Sequence, residues 1–483
     1  MKYYLCIDAG TTRIKAGLYD ERGNLKGIED LSLEISMPHI GYCEMDMLEL
    51  WRYLCQIIQK LHQSCLEYWE NIAAIGISAQ GEGAWLLDED KSPIRPAILW
   101  NDTRSNTINE ELWNEAQLFC QKNNVNPLCA GSYLPILHWM KYNEPTNFNR
   151  IAYIMNCKDW INYKLTDQIQ TDFTDASTVG FNIFEKKYKA EIFDILDLCS
   201  LKKALSKAYS SGECVSITTK KIEDLLGIPF GTPVIAGALD VATVAVGLGV
   251  CLPGQKGSIL GTTLGNVVVL SEEQAKNYIY IEGSLLCYIE NSSYLRQVSA
   301  LSGAVILDWC RKEIANNISF LEMEALAMSV PIGADGVIFL PYLFGERAPF
   351  KAPEACASFH GLRFNHSKAH MIRAVYESLA YSLYDCYQYM PESKEGIFIA
   401  GGASNSDVLC QMISDMMGER VFRTSQKELG LYGMYKILSN RLLDRVDPSQ
   451  TFSPNLLNHE KYLCQYFKYL DLQKKLCALN LDS

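Results

Sequence analysis

The sequence predicts an α/β protein built as two domains, and three observations predict it. The chain has 483 residues, whereas a single hydrophobic core usually stops growing at roughly 250 to 300 residues and then divides. It opens with strands that pass into strand and helix alternation, the order of an α/β sheet. From Pro233 the opening theme returns, as an apolar strand followed by a Gly-rich stretch.

Residues 3–8 alternate weakly and end at Asp8-Ala9-Gly10-Thr11-Thr12, after which Ile14, Ala16 and Leu18 alternate with Lys15, Gly17 and Tyr19. This is the pattern of a hairpin with a Gly-containing turn. A second turn at Glu21-Arg22-Gly23-Asn24 adds a third strand. Leu50, Leu54, Ile57, Ile58 and Leu61 give helical spacing over 47–67, and 72–78 reads as a short buried strand. In the second half, 234–239 reads as a strand ending at Asp240, and 337–340 and 396–400 as further strands between helical patterns at 367–390 and 405–417. The boundary is expected between 243 and 255, giving domains 1–245 and 246–483. With no long Pro/Ser linker, the halves are expected to pack directly. Tyr462, Tyr466 and Leu470 predict a helix in the terminal tail.

Hydrophobic residues make up 48% and charged residues 21%, ordinary values for a globular chain, and no stretch is long and apolar enough to cross a bilayer. The N-terminus runs directly into a strand without a cleavable apolar leader, so a cytoplasmic location is expected. The 17 cysteines are scattered, with no Cys-x-x-Cys pair, and read as small buried hydrophobes rather than as disulfide or metal ligands. A formal charge of −12 repels phosphate backbones, so neither nucleic acid nor membrane is an expected partner. An anionic nucleotide can still bind where backbone amides and a metal ion supply positive potential locally.

Gly-Thr-Thr occurs once in each half, at 10–12 and 261–263. Glycine lets the backbone approach an anion and threonine adds a hydroxyl donor, although a lone Gly-Thr-Thr is an ordinary turn. Asp8, just before the first turn, is placed to hold magnesium through water beside a triphosphate, or simply to cap the turn. Gly401-Gly402-Ala403-Ser404 joins a strand to a helix, which aims amides at an anion or makes a tight connection.

Over essentially its full length the chain resembles the FGGY carbohydrate kinase family. The most specific match is Ala357-Ser358-Phe359-His360-Gly361-Leu362 followed by His370-Met371-Ile372-Arg373-Ala374-Val375-Tyr376-Glu377. Asp8-Ala9-Gly10-Thr11-Thr12, Leu99-Trp100-Asn101-Asp102-Thr103-Arg104, Gly333-Ala334-Asp335-Gly336, Gly345-Glu346-Arg347-Ala348-Pro349 and Gly401-Gly402-Ala403-Ser404 follow the family's order. The resemblance implies two actin-like (ribonuclease H-like) domains, the first binding sugar, with ATP in the cleft between them. It implies Asp8 near magnesium, Thr11, Thr12 and Lys15 near the phosphates, Gly261, Thr262 and Thr263 around the β and γ phosphates, and Gly401, Gly402 and Ala403 towards adenosine. Asp240 matches the catalytic base, and Gln80, Glu82, Asp102 and Arg104 fall where the family contacts the acceptor's hydroxyls. A homodimer is common among similar kinases.

Val241 stands where the family commonly has Asn or Gln after the catalytic Asp, and Gly81-Glu82 replaces the Met-His of common xylulose kinases and the Arg-Glu of glycerol kinases. Ile136 before Trp139 leaves the family's N-terminal signature partial. The combination of Gln80-Gly81-Glu82, Lys15 and Asp240-Val241 is similar to the L-xylulose (3-keto-L-gulonate) kinase and erythritol kinase branch. An L-xylulose-like ketopentose is the expected acceptor, with a polyol such as erythritol or glycerol as the alternative. Glu82 and Asp102 suit a neutral acceptor, whereas Arg104 could pair a carboxylate. An actin-like ATPase or a non-catalytic sugar sensor shares the fold, but would lack the 370–377 signature or lose Asp240 or Asp8.

Overall fold

The computed structural model describes residues 1–279, 281–290, 292–393 and 395–480. Two seven-stranded sheets form its frame. The first is built on β1 (Tyr3–Ala9), β2 (Arg13–Asp20), β3 (Leu25–Ser32) and β4 (Ile72–Ala79), with α1 (Met47–Ser64) between β3 and β4. Its remaining strands are β5 (Cys214–Ile217), β6 (Pro233–Ile235) and β7 (Ala238–Leu239). After α2 (Asp240–Leu248) the second sheet takes β8 (Lys256–Leu260), β9 (Leu264–Ser271), β10 (Ser284–Cys287) and β11 (Ser293–Ala300). It continues past α3 (Lys368–Tyr387) with β12 (Ile397–Ala400), α4 (Asp407–Met417), β13 (Val421–Thr424), α5 (Leu429–Leu438) and β14 (Pro448–Phe452). The chain ends in α6 (Leu456–Asn480).

The two sheets repeat one plan, the actin-like (ribonuclease H-like) arrangement that the resemblance implies. In the first, β1 and β2 form a hairpin in which Asp8 lies opposite Lys15, while β4 runs parallel to β1 with Ser78 beside Asp8. In the second, β8 and β9 form a hairpin and β12 runs parallel to β8. Each plan therefore brings a Gly-Thr-Thr turn next to the end of a parallel strand: Gln80-Gly81-Glu82 after β4, and Gly401-Gly402-Ala403 after β12.

The helices α2 and α5 cross between the sheets at very close range. A Cβ on Gly433 would lie 1.8 Å from the Thr243 carbonyl oxygen, and one on Gly247 would lie 2.2 Å from that of Leu429. Although it follows the second sheet's strands, α5 packs on the first: Gly76 leaves room for Met434, and the Tyr435 hydroxyl donates to the Glu21 carbonyl at 3.2 Å. One buried apolar cluster accordingly joins Cys6, Tyr19 and Leu248 to Val267, Leu431 and Met434. The halves pack directly, as the lack of a linker predicted.

Several sequence expectations change in detail. The helix expected over 47–67 ends at Ser64. The strand expected over 234–239 breaks at Gly237, whose φ of +79° turns the backbone over the Ile77 carbonyl. Ile338–Leu340 pairs only with Ser358–His360, apart from both large sheets. The terminal helix is core: Tyr462, Tyr466 and Tyr469 are buried, and the Tyr466 hydroxyl donates to Asp385 Oδ1 at 2.7 Å. The described cysteines are free thiols, but Cys129, Cys199, Cys214, Cys356 and Cys464 are exposed rather than buried. Among the described residues no helix is long and apolar enough to cross a membrane.

Candidate active site

The first hairpin turn, the end of β4 and the start of α2 converge on one cleft wall. Asp8 projects from β1 against α5, where a Cβ on Gly430 would come within 2.6 Å of its Oδ2, so only glycine admits the helix here. Removal from water raises the Asp8 carboxyl above its usual range, opposed by a hydrogen bond from Ser78 and by the Lys15 charge. Ser78 Oγ lies 2.6 Å from Thr243 Oγ1, and Thr243 Oγ1 donates to the Asp240 carbonyl at 2.8 Å. Asp240 is the first residue of α2, and its Oδ1 accepts the Val241 N–H at 2.6 Å. Val241 therefore contributes its backbone N–H to the Asp240 carboxylate. Desolvation in the cleft and then the charge of Asp8 push the Asp240 carboxyl up to about 7.

In the second half, the corresponding turn is closed by Gly261 N–H donating to the Thr263 carbonyl at 3.2 Å. Gly303 and Ala304 brace it from below, donating to the Thr262 and Gly261 carbonyls at 2.9 and 2.7 Å. A Cβ on Gly303 would lie 2.4 Å from the Thr263 carbonyl carbon. This glycine was not found by sequence reading; its signal was Ser302-Gly303-Ala304 at a helix start. Thr262 and Thr263 are exposed at the turn, as is Thr12 at the first. Gly401, at φ +99°, fits against the Leu260 backbone where a Cβ would be 2.5 Å from the carbonyl oxygen, and Gly402 borders open space. The helix α4 begins only at Asp407, after a tight turn over Gly402–Asn405 that holds half-buried Ala403. The anion-facing amides here therefore belong to that turn rather than to a helix end.

Other expected site residues have partners of their own. Lys15 Nζ lies 2.5 Å from Glu428 Oε2, an ion pair that ties the first sheet to the start of α5. Thr11 Oγ1 accepts from Trp100 Nε1 and donates to Gln80 Oε1, both at 3.0 Å, so its side chain ties Trp100 to the residue after β4. Asp102 and Arg104 are buried and bind each other: Arg104 Nε donates to Asp102 Oδ1 at 2.9 Å, and one terminal nitrogen reaches Asp102 Oδ2 and Glu44 Oε1 at 2.8 and 2.7 Å. The Arg104 guanidinium also stacks 3.9 Å from the Tyr42 ring centroid. Both Asp102 carboxylate oxygens and two of the three Arg104 guanidinium nitrogens are thus bonded within the protein.

Glu82 does face the cleft. It sits at φ +58° between Gly81 and Gly83, a strained position for a side-chain-bearing residue. Cys129 Sγ donates to its Oε2 at 3.2 Å. Desolvation raises the Glu82 carboxyl, opposed by the Cys129 hydrogen bond and by the charge of Arg347 across the cleft. Behind this loop lies a second cluster that sequence reading missed. Fully buried Lys158 approaches Asp159 at 2.5 Å and Asp172 and Asp175 at 3.3 Å each. Asp175 Oδ1 would be 3.0 Å from a Cβ at Gly81. The available signal was charge inside apolar segments.

Among the described residues no group of three or more His, Cys, Asp or Glu side chains could hold a metal ion. The site instead fits a cation held largely by a nucleotide's phosphates, since such an ion would offset the burial that raises the Asp8 and Asp240 carboxyls and the Asp8 charge that raises Asp240.

Comparison with known proteins agrees with this geometry. Residues 3–247 match the N-terminal domain, and residues 258–438 the C-terminal domain, of the FGGY family of carbohydrate kinases. The chain is 30% identical to a xylulose kinase of Staphylococcus epidermidis, covering 99% of this chain and 98% of that protein. It is 28% identical to the L-xylulose/3-keto-L-gulonate kinase of Escherichia coli, over 98% and 96% of the respective chains. The ligand-bound xylulose kinase of Lactobacillus acidophilus shares the fold at a TM-score of 0.91 and 23% identity, covering 99% of both chains. The paired turns, the carboxylates between them and these matches lead to one conclusion: the chain belongs to the FGGY family of carbohydrate kinases and is a sugar kinase, in a family that uses ATP as co-substrate.

Proposed function

We propose that the chain, with domains 1–245 and 246–483, transfers the terminal phosphoryl group of ATP to a hydroxyl of a neutral ketopentose of the xylulose type. The carrying observation is the Asp240 carboxylate, which opens α2 beside the end of β4 and is raised by burial and by the charge of Asp8. Phosphoryl transfer is mostly positioning and charge neutralisation. Asp240 orients the acceptor hydroxyl and takes its proton late, because a carboxylate is far less basic than an alkoxide. The amides and hydroxyls of Gly261, Thr262 and Thr263 cradle the phosphates, and Gly401, Gly402 and Ala403 border the adenosine side. Magnesium, bound beside Asp8, would supply charge neutralisation. Closure of the two walls excludes water as a competing acceptor. The relatives' names support the ketopentose, as does Glu82, whose carboxylate oxygens can accept from acceptor hydroxyls. Release of ADP measured over ketoses, polyols and sugar acids is expected to be fastest with a ketopentose. Faster turnover of erythritol or glycerol would make the enzyme a polyol kinase, and uniform acceptor-independent hydrolysis would overturn the kinase reading.

The Lys15 to Glu428 pair predicts a competition. Phosphates that recruit Lys15 must draw it from Glu428, and a pair of this exposure is worth about 0.5–1 kcal/mol. Glu428→Gln is therefore expected to tighten nucleotide binding roughly 2- to 5-fold by calorimetry, and to have no effect in a Lys15→Met background. Equal effects in both backgrounds would show that Lys15 does not serve the nucleotide.

A further inference from the structure

Arg104, the sequence's candidate for pairing a charged acceptor, is buried and bonded through Nε and one terminal nitrogen to Asp102 and Glu44, but a second arginine faces the Trp100 side from the other half. The Arg347 guanidinium carbon lies 5.6 Å from the Trp100 ring centroid. Its charge acts on both Glu82 and Cys129. Trp100 is itself tied through Thr11 to Gln80, so Arg347 covers the group of residues that lines the acceptor side.

The backbone carrying Arg347 is braced. Glu346 Oε1 accepts the N–H groups of Leu301 and Arg347, both at 2.9 Å, and Glu346 and Ala352 exchange backbone hydrogen bonds at 2.9 Å. Leu301 leads directly to Gly303 under the phosphate turn, so the position of Arg347 is fixed relative to that turn. The side chain, by contrast, is exposed, and among the described residues no carboxylate approaches it closely enough to form an ion pair. A braced backbone that presents an unpaired guanidinium is arranged for a ligand group rather than for folding.

Resting on the sugar kinase reading above, we infer that Arg347 recognises the acceptor's carbonyl oxygen across the cleft from Glu82, and that this pair makes the enzyme selective for neutral ketoses. Glu82 accepts from a hydroxyl, and Arg347 donates to an adjacent carbonyl. A polyol offers no carbonyl to Arg347. A sugar acid attracts Arg347, but its carboxylate is repelled by Glu82. Because the two residues come from different walls, the ketose that satisfies both also favours the closed cleft.

The test compares kcat/KM for xylulose and for the corresponding pentitol in wild type, Arg347→Met and Arg347→Lys, with thermal melts as folding controls. A hydrogen-bonding site of this kind discriminates by large factors. Arg347→Met is expected to lower kcat/KM for the ketose about 100-fold, chiefly through KM, while changing the pentitol less than about 3-fold. Arg347→Lys is expected to recover part of the ketose preference. Equal losses for both acceptors, or an unchanged ketose preference, would overturn the inference while leaving the kinase reading intact. A wild-type chain that phosphorylates no ketose would overturn both.

Discussion

Asp240→Asn is expected to retain acceptor and nucleotide binding while losing turnover by roughly 10²- to 10⁴-fold. The amide keeps the side chain's shape but cannot take the hydroxyl's proton. The wild-type profile of kcat/KM should fall on the acid side of about 7, where Asp240 becomes protonated, by tenfold per pH unit well below it. That limb should be missing from the residual activity of the variant. The same raised value has a cost in stability. An acid whose folded pKa is raised contributes stability at low pH that is lost as pH rises through the folded value, so ionised Asp240 destabilises the protein at pH 8. The shift from the ordinary 3.8 to about 7 sets a ceiling of about 4 kcal/mol. Partial solvent access reduces this, and Asp240→Asn should gain on the order of 1–2 kcal/mol at pH 8 in denaturant unfolding. Near-normal turnover in the variant would remove Asp240 from the chemistry.

Lys158→Met is expected to produce the largest loss of stability. Lys158 is fully buried among Asp159, Asp172 and Asp175. Burial works against its charge, but the three carboxylates hold its pKa above the usual lysine value. Removing the one cation leaves buried carboxylates without compensation, a change that typically costs about 3–5 kcal/mol. Asp159 and Asp175 are already raised by burial; without Lys158 they rise further. Their contribution is then present at acid pH and lost as pH rises through the raised values, so the deficit should be greater at pH 8 than at pH 5.5 by chemical denaturation. A variant with wild-type stability at both values would show that the cluster is not what holds the wall behind Gly81. The acceptor loop rests on that wall, so a partially folded variant should also bind acceptor more weakly.

What the sequence could determine followed from local rules. The alternation around Gly10 predicted the first hairpin, the restart at Pro233 predicted a second sheet built like the first, and the motifs at 357–362 and 370–377 pointed to the family. Asp240 and Glu82 were singled out by the family resemblance, which carries roles position by position where periodicity and turn residues do not. Partnership was not legible, because a side chain's free energy depends on what long-range packing places beside it. Nothing local announced that Arg104 pairs with Asp102 and Glu44, or that the Thr11 hydroxyl bonds Gln80 and Trp100. Lys15 meets Glu428 across 413 residues of sequence, and Arg347 meets Trp100 only through the packing of the two halves. Sequence thus determined the chemistry available at each position, through periodicity, turn residues and motif. Tertiary structure decided which of those groups are already bonded to the protein and which are left to face a ligand, because burial and distance set that balance.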